Sequence, residues 1–152
     1  MAAEKSRSRQ VRPKAPEVML PGLKETLAQN QSVKFAYLFG SQARRAGGRL
    51  SDIDIAVYLD RRISPFAFRL RLAETLAREL GTDRLDLITL NDAPLLLRYE
   101  VVRGGLVIKE DKQRRVNFEQ QVLREYLDTA ILRRTQRAYL KKSLVGEGGF
   151  GQ

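Results

Sequence analysis

Residues 37–54 read YLFGSQARRAGGRLSDID, and the fold turns on how this stretch is read. An apolar run stops at Gly40-Ser41, ten mostly small, polar or basic residues follow, and two aspartates, Asp52 and Asp54, then appear one residue apart. Upstream, VKFAYLF (33–39) is rich in β-branched and aromatic residues and bounded by polar NQS and by Gly40, which predicts a buried strand. Downstream, DIDIAVYLD (52–60) alternates and then turns apolar, which predicts a second strand. Between them a short helix is expected over 43–49, breaking at Gly47-Gly48.

The same logic extends outward. Residues 22–29 predict a short helix with Pro21 in its first turn and Leu23 and Leu27 on one face. Ser64-Pro65 is a helix start, Phe66, Leu70, Ala73, Ala77 and Leu80 recur at helical spacing, and Gly81 ends the run. RLDLITL (84–90) predicts a third strand, Asp92 a cap for a helix over 93–103, and LVIK after Gly104-Gly105 a last strand. A final helix over 112–142 carries Leu123, Tyr126, Leu127, Ala130 and Ile131 on one face. The fold class is therefore α/β (α+β): a small mixed sheet flanked by helices, with a long C-terminal helix.

At 152 residues the chain suits one domain, placed over 17–142, with a flexible basic arm at 1–16 and a loose glycine-rich tail at 143–152. Its apolar runs are far shorter than the roughly 20 residues a membrane span needs. No apolar secretory stretch follows Met1, so a soluble, cytoplasmic protein is expected. The formal charge of +10 points to an anionic partner, although much of the excess sits near the two termini. Arg114 and Arg115, near the start of the final helix, are candidates to face a nucleotide or an acidic partner, beside the plainer reading of two exposed arginines.

There is no cysteine and no histidine, which excludes disulfides, thiolate or imidazole zinc sites and every Ser-His or Cys-His catalytic arrangement. Chemistry must run on carboxylates, hydroxyls and cations, and oxygen ligands suit Mg²⁺ or Mn²⁺. In an extended segment Asp52 and Asp54 leave one face, with Cα atoms about 6–7 Å apart, while Ile53 and Ile55 point into the core. Two such carboxylates repel unless a cation sits between them, and a pair of divalent ions can clamp both oxygens of a phosphoryl-type displacement. Gly40 leaves its backbone open to a bulky anion, and Ser41 offers a hydroxyl and an amide at a helix start, where phosphate is attracted. Asp86, central in the third strand, is the candidate third ligand and proton acceptor, with Asp83 the alternative. Each piece alone has a plainer reading: an ordinary turn, a solvated edge, a carboxylate bonded to backbone amides.

Gly40-Ser41, ten residues, then Asp52-x-Asp54 resembles the G-S-x10-D-x-D motif of the DNA polymerase β-like nucleotidyltransferases, and in particular the MNT-type minimal nucleotidyltransferases. FGSQARR resembles the family's phosphate turn, SDIDIAV its metal strand, and LLLRYEVVRGG through RRTQRAYL the C-terminal half of MNT antitoxins, so residues 20–140 are covered. The resemblance implies a polymerase β-like fold and an antitoxin that transfers AMP from ATP, with Mg²⁺, to a tyrosine of a HEPN ribonuclease toxin. It implies that Gly40, Ser41, Arg44 and Ser51 bind the nucleotide, that Asp52 and Asp54 bind two metal ions, and that Asp86 binds the catalytic ion and accepts the tyrosine proton. Two other readings stay open: an antitoxin that neutralises by binding alone, and a transferase acting on a small molecule or on RNA. RNA is encouraged by the charge but not by any stacking aromatic motif. The basic arm before residue 17 does not take part in this resemblance, so its role is left open.

Overall fold

The computed structural model describes residues 16–40 and 52–146. Along them run α1 (Pro16–Ala28), β1 (Val33–Phe39), β2 (Ile53–Leu59), α2 (Pro65–Leu80), β3 (Leu85–Thr89), α3 (Leu95–Gly104), β4 (Leu106–Lys109) and α4 (Lys112–Gly146). The strands form one sheet in the order β3-β2-β1-β4. β1 is antiparallel to both β2 and β4, whereas β2 and β3 are parallel and joined through α2. The expected mixed sheet is thus present, and the helix expected over 43–49 falls outside the described residues.

Strand periodicity divides the core in two. Ile53, Ile55, Val57 and Leu59 of β2 join Leu23 and Leu27 of α1 and Leu72, Leu76 and Leu80 of α2 on one face. On the other, Phe35, Tyr37 and Ala56 meet Val101 of α3 and Phe118 and Val122 of α4. A register shift between Val33 and Phe35 lets Val33 and Ala36 share the first face while Phe35 and Tyr37 serve the second. Each such buried leucine or phenylalanine contributes about 1.5–3 kcal/mol.

Several elements differ from their sequence reading. α1 begins at Pro16, so Pro21 lies inside it, although Leu23 and Leu27 are buried as expected. In α2 the buried row is Leu72, Leu76 and Leu80, while Phe66 and Leu70 are 65% and 55% exposed. Two apolar rows compete on this helix, and the one facing α1 and β3 is buried. Ser64 caps α2 in position but without a side-chain hydrogen bond, and Pro65 opens it as expected. Gly81 closes it in the left-handed region at φ 65°, its N–H donating to the Ala77 carbonyl. Pro94, not Asp92, precedes α3; Asp92 instead accepts the Thr89 hydroxyl, which tightens the turn after β3.

α4 runs to Gly146 and turns a different face inward than its apolar spacing suggests. Phe118 and Val122 are buried, whereas Leu123, Leu127 and Ile131 are exposed. Polar contacts fix that phase. The Tyr37 hydroxyl donates to Glu119 at 2.6 Å, and Arg115 donates to Glu119 and to Glu110, both at 2.8 Å. Arg98 of α3 donates to Glu125 at 3.2 Å, and Tyr99 stacks on Tyr126 with ring centroids 3.6 Å apart. At the β4 edge, the Lys109 ammonium donates to the carbonyls of Leu27 and Asn30, both at 2.7 Å, closing the C-terminal end of α1.

Candidate active site

Three strand ends meet on the sheet face that carries α3 and α4. The antiparallel register pairs Phe39 with Asp54, which brings Gly40, the next residue, against the Asp54 side chain. The parallel register pairs Asp54 with Asp86. Asp54, Ala56 and Tyr58 leave one side of β2, and Ile53 (6% exposed) and Ile55 (fully buried) leave the other, as their alternation requires. Asp52 and Asp86 are exposed and Asp54 is half-buried.

The exposure of Asp86 corrects one step of the sequence argument. A carboxylate central in LDLITL suggests a costly buried charge, but the strand begins only at Leu85, so Asp86 lies at its open end and is solvated. Its pairing opposite Asp54, not burial, ties it to the other aspartates. Asp83 falls before the strand and has no such register.

Gly40 adopts φ +72°, in the left-handed region that glycine enters without steric cost. A Cβ built there would stand 2.2 Å from Asp54 Oδ2 and 3.2 Å from its Cγ. The missing side chain therefore makes room for a carboxylate of the same site. Ser41, Arg44 and Ser51, the other expected nucleotide contacts, lie outside the described residues.

The electrostatics mark Asp54. Burial first, then the charges of Asp86 and Asp52, push its carboxyl above the ordinary aspartate range. Carboxylates at the adjoining starts of β2 and β3, with Asp54 repelled by the other two and only oxygen donors present, match a hard divalent cation in charge and ligand type. Among the described residues no group of three or more acidic side chains is set close enough to hold a metal ion as placed. Asp52, Asp54 and Asp86 are the residues whose donor chemistry fits one.

Sequence reasoning missed the supports of this site. Asn91 accepts the Leu59 N–H and donates to the Leu59 carbonyl, both at 2.9 Å, holding the far end of β2. Tyr37, beside the sheet centre, is buried with its hydroxyl on Glu119, 82 residues away, and burial and that carboxylate raise its pKa strongly. The apolar setting of Tyr37 was legible as core; its acidic partner was not, because nothing local links the two residues.

Among the described residues no helix is long and apolar enough to cross a membrane. The family model for "Polymerase beta, Nucleotidyltransferase" matches residues 22–114. A search of curated proteins finds no match. Among solved structures, one of a toxin–antitoxin with AMP-PNP is 28% identical with a TM-score of 0.67, over 82% of this chain and 98% of that one. A structure of the toxin–antitoxin MntA-HepT is 26% identical with a TM-score of 0.62, over 84% and 98%. In fold alone, the chain is also similar to one in a complex of tri-AMPylated Shewanella oneidensis HEPN toxin with MNT antitoxin, at 24% identity and a TM-score of 0.63, over 86% and 99%.

Proposed function

Since this chain belongs to the polymerase beta nucleotidyltransferase family, we propose that it is an antitoxin that transfers AMP from ATP to a tyrosine of a HEPN toxin and so neutralises it. The observation that carries this reading is the register that sets Asp86 opposite Asp54, with Gly40 making room for the Asp54 carboxylate. The structural relatives support the reading: one is of a toxin–antitoxin with AMP-PNP, and another is of a tri-AMPylated HEPN toxin in complex with MNT antitoxin.

In this reaction the tyrosine oxygen attacks the α-phosphorus of ATP, the bond from that phosphorus to the β-bridging oxygen breaks, and pyrophosphate leaves. Asp86, solvated and at the open end of β3, accepts the phenolic proton. Gly40 and Ser41 hold the triphosphate from the turn after β1, with Arg44 and Ser51 as further contacts. Asp52, Asp54 and Asp86 would hold Mg²⁺, with Mn²⁺ an alternative, and the cation supplies charge neutralisation for the developing phosphate oxyanions. The half-buried position of Asp54 keeps one carboxylate out of bulk water, which strengthens its attraction to a cation.

A second reading, neutralisation by binding alone, is favoured by one observation: Leu123, Leu127, Ile131 and Leu132 of α4 are exposed large apolar residues. One experiment separates the two. Purified protein, ATP labelled at the α-phosphate, Mg²⁺ and a HEPN toxin encoded beside it are incubated, with Asp52→Asn alongside. Label on a toxin tyrosine that is absent with the variant or with chelator supports transfer. Neutralisation by both proteins without label supports binding alone.

A further inference from the structure

The end of the sheet away from the aspartates holds a second concave site. Asp54 and Tyr58 lie four residues apart on β2, about 13 Å along the strand. Beyond Tyr58, the turn after β2 and the first turns of α4 border an open pocket of about 350 Å³, within the roughly 300–1,000 Å³ range of small-molecule sites.

Its lining is cationic. Arg61, Arg62 and Arg114 stand around one carboxylate, Asp60. Asp60 is already engaged, accepting the Arg62 backbone N–H at 3.2 Å and pairing with Lys34 at 3.7 Å. The backbone N–H of Arg62, with the charges of Lys34, Arg62 and Arg114, holds its carboxyl below the ordinary range. Arg114 is loosely paired with Asp111 at 3.5 Å. The guanidiniums of Arg61 and Arg62 make no hydrogen bond or ion pair among the described residues.

The wall is aromatic and the rim carries amides. The Tyr58 and Phe118 rings lie 5.5 Å apart, tilted by 58°, and Tyr58 stacks on Phe35 at 4.7 Å, so the wall is rigid. Asn117 and Gln121, one helical turn apart on α4, add amide donors and acceptors. Planar guanidiniums match phosphate oxygens in a bidentate fork, and a concave wall of low dielectric strengthens their field. An aromatic wall with adjacent amides suits the body of a nucleoside.

We propose that this pocket is a second binding site, separate from the aspartates, for a phosphate ester of nucleotide size, with its phosphate held by Arg61, Arg62 and Arg114 and its body against Tyr58 and Phe118. The ester is either a free nucleotide or the phosphorylated end of a strand. The inference stands whether or not the transferase reading holds, because it uses none of the same residues.

The test is equilibrium dialysis of the full chain in EDTA with AMP, with adenosine and with 5′-phosphorylated penta-adenylate, on the native protein, Arg61→Ala/Arg62→Ala, Arg61→Lys/Arg62→Lys and, as a charge control on the exposed side of α2, Arg71→Ala/Arg78→Ala. Saturable AMP binding is expected, at least tenfold weaker in the Arg61/Arg62 alanine pair, intermediate in the lysine pair and unchanged in the charge control. Adenosine is expected to bind at least tenfold more weakly than AMP. Penta-adenylate binding tenfold tighter than AMP, and competing with it, makes a strand end the ligand, whereas similar affinities make it the free nucleotide; both support the site. Absence of AMP binding, equal binding of adenosine, or loss in the charge control matching that in the Arg61/Arg62 alanine pair overturns it. Unchanged thermal unfolding of the lysine pair excludes misfolding as the cause.

Discussion

Gly40→Ala is the most demanding perturbation of the candidate active site, because it changes one methyl group where two constraints coincide. The residue sits at φ +72°, where an L side chain costs about 1–2 kcal/mol. Its Cβ would lie 2.2 Å from Asp54 Oδ2, so the carboxylate must move by about 1 Å to reach an ordinary contact, an off-rotamer displacement of about 0.5–1.5 kcal/mol. The sum is a stability loss of about 1.5–3.5 kcal/mol, measurable as a lower urea midpoint at unchanged slope. Activity is expected to fall further, about 100-fold, since a displacement of this size at a reacting centre costs roughly that much. The assay is α-labelled AMP transfer to the toxin at saturating ATP, with unfolding measured on the same preparation. In an Asp54→Gly background the clash is gone, and the substitution should cost only the backbone strain, about 1–2 kcal/mol. Transfer within threefold of the native chain, or the same stability loss in both backgrounds, would refute the argument that Gly40 exists to admit Asp54.

Asp54 also carries a pH signature. Burial, Asp86 and Asp52 raise its carboxyl above 3.8 in the folded chain, so the folded state holds this proton more tightly than the unfolded one. Its contribution is most favourable below that ordinary value and is lost as pH rises through the folded value. In EDTA, Asp54→Asn should therefore be more stable than the native chain at pH 7 and no more stable at pH 3, with Mg²⁺ narrowing the gap at pH 7; equal urea midpoints at pH 7 would contradict this. Tyr37→Phe removes a hydroxyl that donates to Glu119 at 2.6 Å and should cost about 1–2 kcal/mol in urea unfolding, since Arg115 still serves the carboxylate; no change would mean the bond contributes nothing. Leu76→Ala should cost about 2–5 kcal/mol and Leu70→Ala less than about 0.5, a contrast that comparable losses at both positions would overturn.

The sequence displayed some levels of this structure better than others. All four strands were legible, because VKFAYLF, DIDIAVYLD, RLDLITL and LVIK are short apolar runs bounded by turn residues, and the helices between them follow from Pro65, Gly81 and the spacing of leucines. Helix faces were less legible. α2 carries both Phe66/Leu70 and Leu72/Leu76/Leu80, and only the tertiary partner decides between them. On α4 the inward phase is set by Phe118, Val122 and charged groups answering Tyr37 and Arg98, which a search for apolar spacing passes over. At the candidate site, Asp52 and Asp54 were visible as two carboxylates one residue apart at the start of a strand. The pairing of Asp86 with Asp54 needed the parallel register, and the closeness of Gly40 to Asp54 needed the antiparallel one. Ser41, Arg44 and Ser51 rest on the motif alone, since they lie outside the described residues.

The division of the sheet into two faces also orders events in time. The face bearing Leu23, Leu27 and the α2 leucines is complete once residue 87 or so has been made, apart from Ile108. The opposite face is not. Phe35, Tyr37 and Tyr58 wait for Phe118, 83 residues after the first of them, an interval of roughly 4–17 s at the usual rates of synthesis. Until then the ribosome-bound chain presents these aromatic rings without the α4 residues that cover them, a surface suited to chaperones or to a neighbouring nascent chain. Truncation before α4 would make that exposure permanent, so shortened forms of this protein should be lost to aggregation even where the aspartates and the first core are intact.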